Sequence, residues 1–125
     1  MGKKIVLIED SQTVVSMLTA ILQAKGYKVF AGEDGKKAMD LVRKVSPDLI
    51  ILDINLPGSM DGFAICQFLK ANKKYNRIPI IMFTGQGTVG EVNKAFKMGA
   101  NDYLVKPQTQ GDFYRLIDKV KKWAP

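Results

Sequence analysis

The stretch Asp48-Leu-Ile-Ile-Leu-Asp-Ile-Asn-Leu-Pro57 decides how this chain folds. Residues 49–52 form an unbroken apolar run, bounded by Ser46-Pro47-Asp48 before it and Pro57-Gly58 after it. A run this short, with turn residues at both ends, reads as a strand buried on both faces of a parallel sheet. Asp53 follows at once. The chain therefore leaves the core at a carboxylate, at the carboxyl end of a strand, where open α/β sheets bind their ligands. An aspartate in that place is by itself an ordinary turn former or helix cap, so its meaning depends on the rest of the chain.

Working outward, the same alternation recurs on both sides. Lys3-Lys-Ile-Val-Leu-Ile8 is a second buried strand that stops at Glu9-Asp10-Ser11, where Asp10 or Ser11 can cap a helix. Val14, Leu18, Ile21 and Leu22 recur with helical spacing until Gly26 ends that helix. Tyr27-Lys-Val-Phe30 reads as a less buried strand, with Glu33-Asp-Gly35 as a turn, and Ala38, Leu41, Val42 and Val45 mark a helix ended by Ser46-Pro47. Beyond the central strand, the Gly-containing loop Pro57-Gly-Ser-Met-Asp-Gly62 opens a helix through Ile65, Phe68 and Leu69. Ile78-Pro-Ile-Ile-Met-Phe83 is the next strand, with Pro79 at its start, where a missing N–H is tolerated. Val92, Ala95 and Phe96 predict a helix up to Gly99, residues 100–105 a strand, and Phe113, Leu116, Ile117 and Val120 a last helix. Five strands alternating with five helices through short loops imply right-handed βαβ crossovers and a doubly wound α/β domain over residues 1–125.

Composition narrows the function. With 46% hydrophobic and 25% charged residues in 125, the chain has the make-up of one globular domain. No apolar run approaches the ~18 residues of a membrane span, and Met1-Gly-Lys-Lys runs into a strand without a signal peptide's cleavage region, so a cytoplasmic location is expected, with no membrane partner. The chain has no histidine, which removes the commonest general base and the commonest transition-metal ligand. Its one cysteine, Cys66, lies among Ala64, Ile65 and Phe68 and suits a buried hydrophobe. The net charge of +7 raises the question of nucleic acid, but the bases are spread along the chain. The two denser groups, Lys70, Lys73, Lys74, Arg77 and Arg115, Lys119, Lys121, Lys122, lack interleaved aromatics and are expected to be solvated, with no direct nucleic acid binding.

Polar residues fall at four predicted strand ends: Glu9-Asp10, Asp53, Thr84 and Lys106. In a parallel sheet these ends share one edge. Each has an ordinary structural explanation alone, as a cap, a turn or a surface ammonium, but their coincidence on one edge does not. Carboxylates gathered there repel, so one keeps its proton unless a cation neutralises the group. Oxygen donors without Cys or His nearby favour Mg²⁺ over zinc or copper.

On the acidic pair Glu9-Asp10, Asp53 within its apolar run, Met60-Asp-Gly62, Thr84-Gly85 and Tyr103-Leu-Val-Lys-Pro107, the chain resembles the receiver domains of two-component response regulators, of the single-domain chemotaxis type. The resemblance implies a flavodoxin-like sheet of order 2-1-3-4-5 and a phosphoryl group accepted on Asp53 from a histidine kinase or phosphotransfer protein. It implies Mg²⁺ held by Asp10, Asp53 and the backbone carbonyl of Asn55, with Glu9 in support. Lys106 and Thr84 would contact the phosphoryl group, and Lys106–Pro107 would be a cis peptide. Asn55 and Gln86 occupy positions that influence phosphoryl loss. Thr84 and Tyr103 would form a switch in which the 84–90 loop moves inward and Tyr103 turns in after it, changing the surface offered to a downstream target.

Two features depart from the family pattern. Pro57-Gly-Ser-Met-Asp-Gly62 is one residue longer than the usual loop, and receivers are commonly acidic. Two other functions fit the same fold: a constitutive interaction scaffold, and a Mg²⁺-dependent small-molecule phosphatase. Against the latter, Asn55 stands where a second catalytic acid would be placed. No reaction beyond the chain's own phosphorylation and dephosphorylation is therefore expected.

Overall fold

Alternation along each strand sets the layers. In the computed structural model, which describes residues 2–125, the elements run β1 Lys4–Ile8, α1 Gln12–Ala24, β2 Lys28–Gly32, α2 Gly35–Val45, β3 Leu49–Asp53, α3 Gly62–Ala71, β4 Ile80–Thr84, α4 Val89–Lys97, β5 Asp102–Val105 and α5 Gln110–Trp123. The strands are parallel in the order β2-β1-β3-β4-β5. Successive side chains of a strand point to opposite faces. Accordingly Val6, Ile8, Ile50, Leu52, Ile80 and Met82 pack with α2, α3 and α4, whereas Ile5, Leu7, Leu49, Ile51, Ile81 and Phe83 pack with α1 and α5. Both faces of the sheet are thus covered, which is why β3 and β4 are apolar without a polar stripe.

Every helix begins with a side chain that accepts an otherwise unpaired backbone N–H: Ser11, Asp34, Asp61, Thr88 and Thr109. These caps account for most differences from the sequence reading. Glu33-Asp34-Gly35 is a helix start rather than a free turn, because Asp34 accepts from Lys37 N at 2.8 Å. Thr88 likewise starts α4 at Val89, so the loop after β4 is shorter than the 84–90 segment expected to move. Strand β4 begins at Ile80, because Pro79 has no N–H to give the ladder.

Contrary to the expectation from sequence, the basic groups are not all solvated. Lys70 donates to the carbonyls of Asn76 and Ile78, closing the turn after α3. Lys119 donates to Asp102 at 2.8 Å and to the Tyr103 carbonyl, and Trp123 Nε1 reaches the other Asp102 oxygen at 2.9 Å. One carboxylate thus fastens the end of α5 to the start of β5. Cys66 is buried as expected, and burial pushes its thiol up to about 11.

Burial alone would raise the Asp102 carboxyl, but the bonds from Lys119, Trp123 and the Tyr103 N–H outweigh it and hold the group below the ordinary carboxylate range. A depressed folded value adds stability above the unfolded value and loses it as pH falls through the folded one. Asp102→Asn is therefore expected to unfold about 1 kcal/mol more easily near neutral pH. Urea melts should also show it losing less stability than the parent chain as pH falls through and below the ordinary carboxylate range.

Candidate functional site

Among the described residues, the charged or polar side chains that are fully buried are Glu9, Asp53 and Thr84. All three stand at or just past the carboxyl ends of β1, β3 and β4, the edge expected to carry the site. Lys106 follows β5. Its chain reaches across β4, and its ammonium lies 3.1 Å from Asp53 Oδ2 and 3.0 Å from both Glu9 oxygens. Only Glu9 Oε1 is aligned to accept a hydrogen bond, so Oε2 is a buried oxygen without a partner. Glu9 Oε1 also accepts the Ser11 N–H at 3.2 Å, and Asp53 Oδ1 accepts the Asn55 N–H at 3.1 Å. The first fixes the entry into α1 and the second the turn after β3.

Charge is balanced within this group. Burial, and then the neighbouring Asp53 carboxylate, push Glu9 up to about 7, while Lys106 works in the other direction. A proton on Glu9 relieves the repulsion that the sequence predicted for these carboxylates. Burial disfavours the Lys106 ammonium, but its bonds to Glu9 and Asp53 prevail and hold it above the ordinary lysine range.

The donor set suits a hard cation. Glu9, Asp10 and Asp53 each offer a carboxylate oxygen, all within 4.8 Å of one another, and Asp10 is exposed at the mouth. Oxygen donors of this kind fit Mg²⁺, and Glu9 Oε2, which faces the Lys106 ammonium at 3.0 Å, has no aligned hydrogen bond of its own.

Two expectations need correction. No peptide bond among the described residues is cis, so Lys106–Pro107 is trans. Trans is the lower-energy isomer before proline by about 0.5–1 kcal/mol, and with it the Lys106 N–H still meets the Thr84 carbonyl while the ammonium reaches both acids. Tyr103 does not await an inward turn. It is only 8% exposed, packed against the α4 face, with its hydroxyl 2.8 Å from the Gln86 carbonyl and 3.2 Å from Glu91 Oε1. Thr84 lies on the predicted edge, but its hydroxyl donates to Glu91 Oε1 at 3.1 Å rather than to Asp53. Gln86 joins the group through its backbone, the N–H donating to Thr84 Oγ1 at 3.4 Å.

The fold and this acidic edge match known proteins. A family model for the response regulator receiver domain covers residues 5–118. The chain belongs to that family. Receiver domains are signalling modules of two-component systems rather than classical enzymes, and they bind Mg²⁺ at an acidic site. The receiver domain of a signal transduction histidine kinase from Syntrophus aciditrophicus is 33% identical, the match covering 98% of this chain and 89% of that one, with a TM-score of 0.85. Chemotaxis protein CheY4 of Vibrio cholerae is 28% identical over 96% of this chain and 99% of its own, also at 0.85. The receiver domain of a sensor histidine kinase from Pseudomonas aeruginosa, with a magnesium ion coordinated in its active site cleft, is 29% identical over 98% of each chain, with a TM-score of 0.83.

Two residues of this receiver's site went unnoticed in the sequence. Glu91 carried a visible signal, since Thr88-Val-Gly-Glu91 has the spacing of a capping box. Gly62 was read only as part of a motif. Its N–H donates to the Ile54 carbonyl at 2.8 Å, and a Cβ there would lie inside the Asp53 carbonyl oxygen's contact distance and 2.8 Å from Ile54 Cα. The longer loop therefore still closes tightly against the backbone of Asp53. Gly62→Ala is expected to cost about 2 to 3 kcal/mol, because backbone must move to admit the methyl group. Urea denaturation should show a lower midpoint with an unchanged slope.

Proposed function

We propose that this receiver accepts a phosphoryl group on Asp53 from a histidine kinase or a histidine phosphotransfer protein, in a Mg²⁺-dependent reaction, and thereby alters the surface it presents to a downstream protein target. The observation that carries this reading is the buried Asp53 carboxylate, held from one side by the Asn55 N–H and from the other by the Lys106 ammonium, at the rim of a three-carboxylate cluster. Asp10, Asp53 and the Asn55 carbonyl would hold the metal, with Glu9 behind them. Bound there, Mg²⁺ supplies positive charge for the phosphoryl oxygens.

The chain's own residues do the rest. Asn55 orients the Asp53 carboxylate, and one of its oxygens forms the new O–P bond. The P–N bond of the donor phosphohistidine breaks, and its electron pair returns to the imidazole. Lys106 is already within reach, so its ammonium can follow the developing negative charge without crossing open solvent. Burial of Asp53, which is 1% exposed, keeps bulk water from competing with these contacts. Thr84 stands close enough in the fold to offer its hydroxyl once the loop of residues 85–88 moves. Asn55 and Gln86, two residues after Asp53 and two after Thr84, would tune how long the acyl phosphate lasts.

A second reading, the constitutive scaffold, is favoured by one observation: Tyr103 is already inward. The two readings part on a single measurement. Incubation with acetyl phosphate and Mg²⁺ is expected to add one phosphate by intact-mass spectrometry. Asp53→Asn, which keeps volume and fold, should abolish the adduct, and EDTA should prevent it. Asp10→Asn should weaken metal binding, whereas Lys106→Ala should preserve it. An adduct that persists in Asp53→Asn or in EDTA would overturn the assignment, and failure of beryllofluoride to bind with Mg²⁺ would favour the scaffold.

A further inference from the structure

The sequence pattern Thr/Ser-x-x-Asp/Glu occurs at the start of two helices, and the two cases behave differently. At α5 the capping box is complete: Thr109 accepts the Asp112 N–H, and Asp112 accepts the Thr109 N–H at 3.1 Å. At α4, Thr88 accepts the Glu91 N–H at 3.2 Å, but the Glu91 carboxylate does not return to the cap. It turns inward instead, where Oε1 meets the hydroxyls of both Thr84 and Tyr103. A carboxylate gives up a local bond here for two tertiary ones.

We propose that Glu91 is a positioning residue that holds the Thr84 hydroxyl away from Asp53, so that a phosphoryl group on Asp53 gains Thr84 only by displacing Glu91. This rests on the phosphorylation of Asp53. Thr84 has one hydroxyl proton and can give it to one acceptor at a time. A carboxylate is a stronger acceptor than a neutral oxygen, so Glu91 sets a real threshold, and a phosphoryl group, with more charge and more oxygens, is the kind of acceptor that can exceed it. The backbone between them can follow, since Gly85 has open space around it. Glu91 itself is only half-buried, at the first turn of α4, and loses little when Thr84 leaves. The same oxygen also shares the Tyr103 proton with the Gln86 carbonyl. Once Thr84 departs, Tyr103 no longer competes for that oxygen. Activation then tightens an inward Tyr103 rather than turning it in.

The test is a double-mutant cycle on beryllofluoride affinity at saturating Mg²⁺, with the tyrosine ring carbons followed by NMR. Circular dichroism verifies that each variant is folded. Glu91→Ala is expected to bind the mimic about tenfold more tightly, in line with loss of one charge-assisted competitor. Glu91→Gln should fall between it and the parent chain. In a Thr84→Val background the same Glu91→Ala change should alter affinity less than about twofold, because the contested hydroxyl is gone. Without metal or mimic, Glu91→Ala should broaden the Tyr103 ring signals, as one of two inward tethers is lost. Unchanged or weaker binding by Glu91→Ala overturns the inference. So does a gain that survives intact in Thr84→Val, which would mark a general charge effect. If the parent chain itself does not bind the mimic, the phosphorylation reading fails first and this inference with it.

Discussion

Two carboxyl groups, Glu9 and Asp53, are sealed from water on adjacent strands, and one lysine reaches both. Burying an unpaired charge costs several kcal/mol, more than any single apolar contact in the core returns. Lys106 must therefore come from β5, pass over β4 and arrive above β1 and β3, and it can do so only if the strands lie in the order β1-β3-β4-β5 with their carboxyl ends level. The ion pair and the topology require each other. The register of β3 with β4, which sets Asp53 beside Phe83, carries the Asp53 carboxylate to the height at which Lys106 arrives.

What the sequence disclosed follows from this. The apolar runs at residues 5–8, 49–52 and 80–83 are buried on both faces, so their burial needs no particular partner and can be read from composition alone. Glu9, Asp53, Thr84 and Lys106 were legible for a related reason: the first three end such runs, Lys106 follows β5, and parallel strands put all their carboxyl ends on one side. The direction in which a side chain points once there was not legible. The Thr84 hydroxyl faces Glu91 instead of Asp53, and Tyr103 is inward, because α4 begins at Thr88 and brings a carboxylate to them. Only the packed helix fixes that.

The lysines teach the same lesson. Lys70 and Lys119 sit in stretches that look like a solvated face, and local sequence gives no hint that one closes the turn after α3 and the other locks α5 to β5. Their partners are backbone carbonyls and a strand-start aspartate, groups whose availability depends on where the next element docks. Isomer state at Lys106–Pro107 belongs to this class as well. Both isomers are accessible to the sequence, and the structure holds the intrinsically favoured trans form.

The net charge of +7 finds a physical place in this arrangement. Every helix runs antiparallel to the strands it connects, so all five helix N-termini face the edge that holds Asp53, and all five C-termini face the opposite edge. Helix dipoles are positive at the first edge and negative at the second. The side chains complement them. Asp34, Asp61, Glu91 and Asp112 stand at helix starts, and Arg43, Lys44, Lys70, Lys94, Lys97, Lys121 and Lys122 in last turns. Much of the excess positive charge is thus matched to helix ends far from Asp53. The same geometry bears on the acceptor itself. A phosphoryl group on Asp53 adds negative charge to an edge already rich in carboxylates, yet that edge also collects the positive ends of the dipoles and the Lys106 ammonium. Side-chain repulsion and backbone attraction oppose each other there, and a cation bound among Glu9, Asp10 and Asp53 shifts the balance toward the charged product.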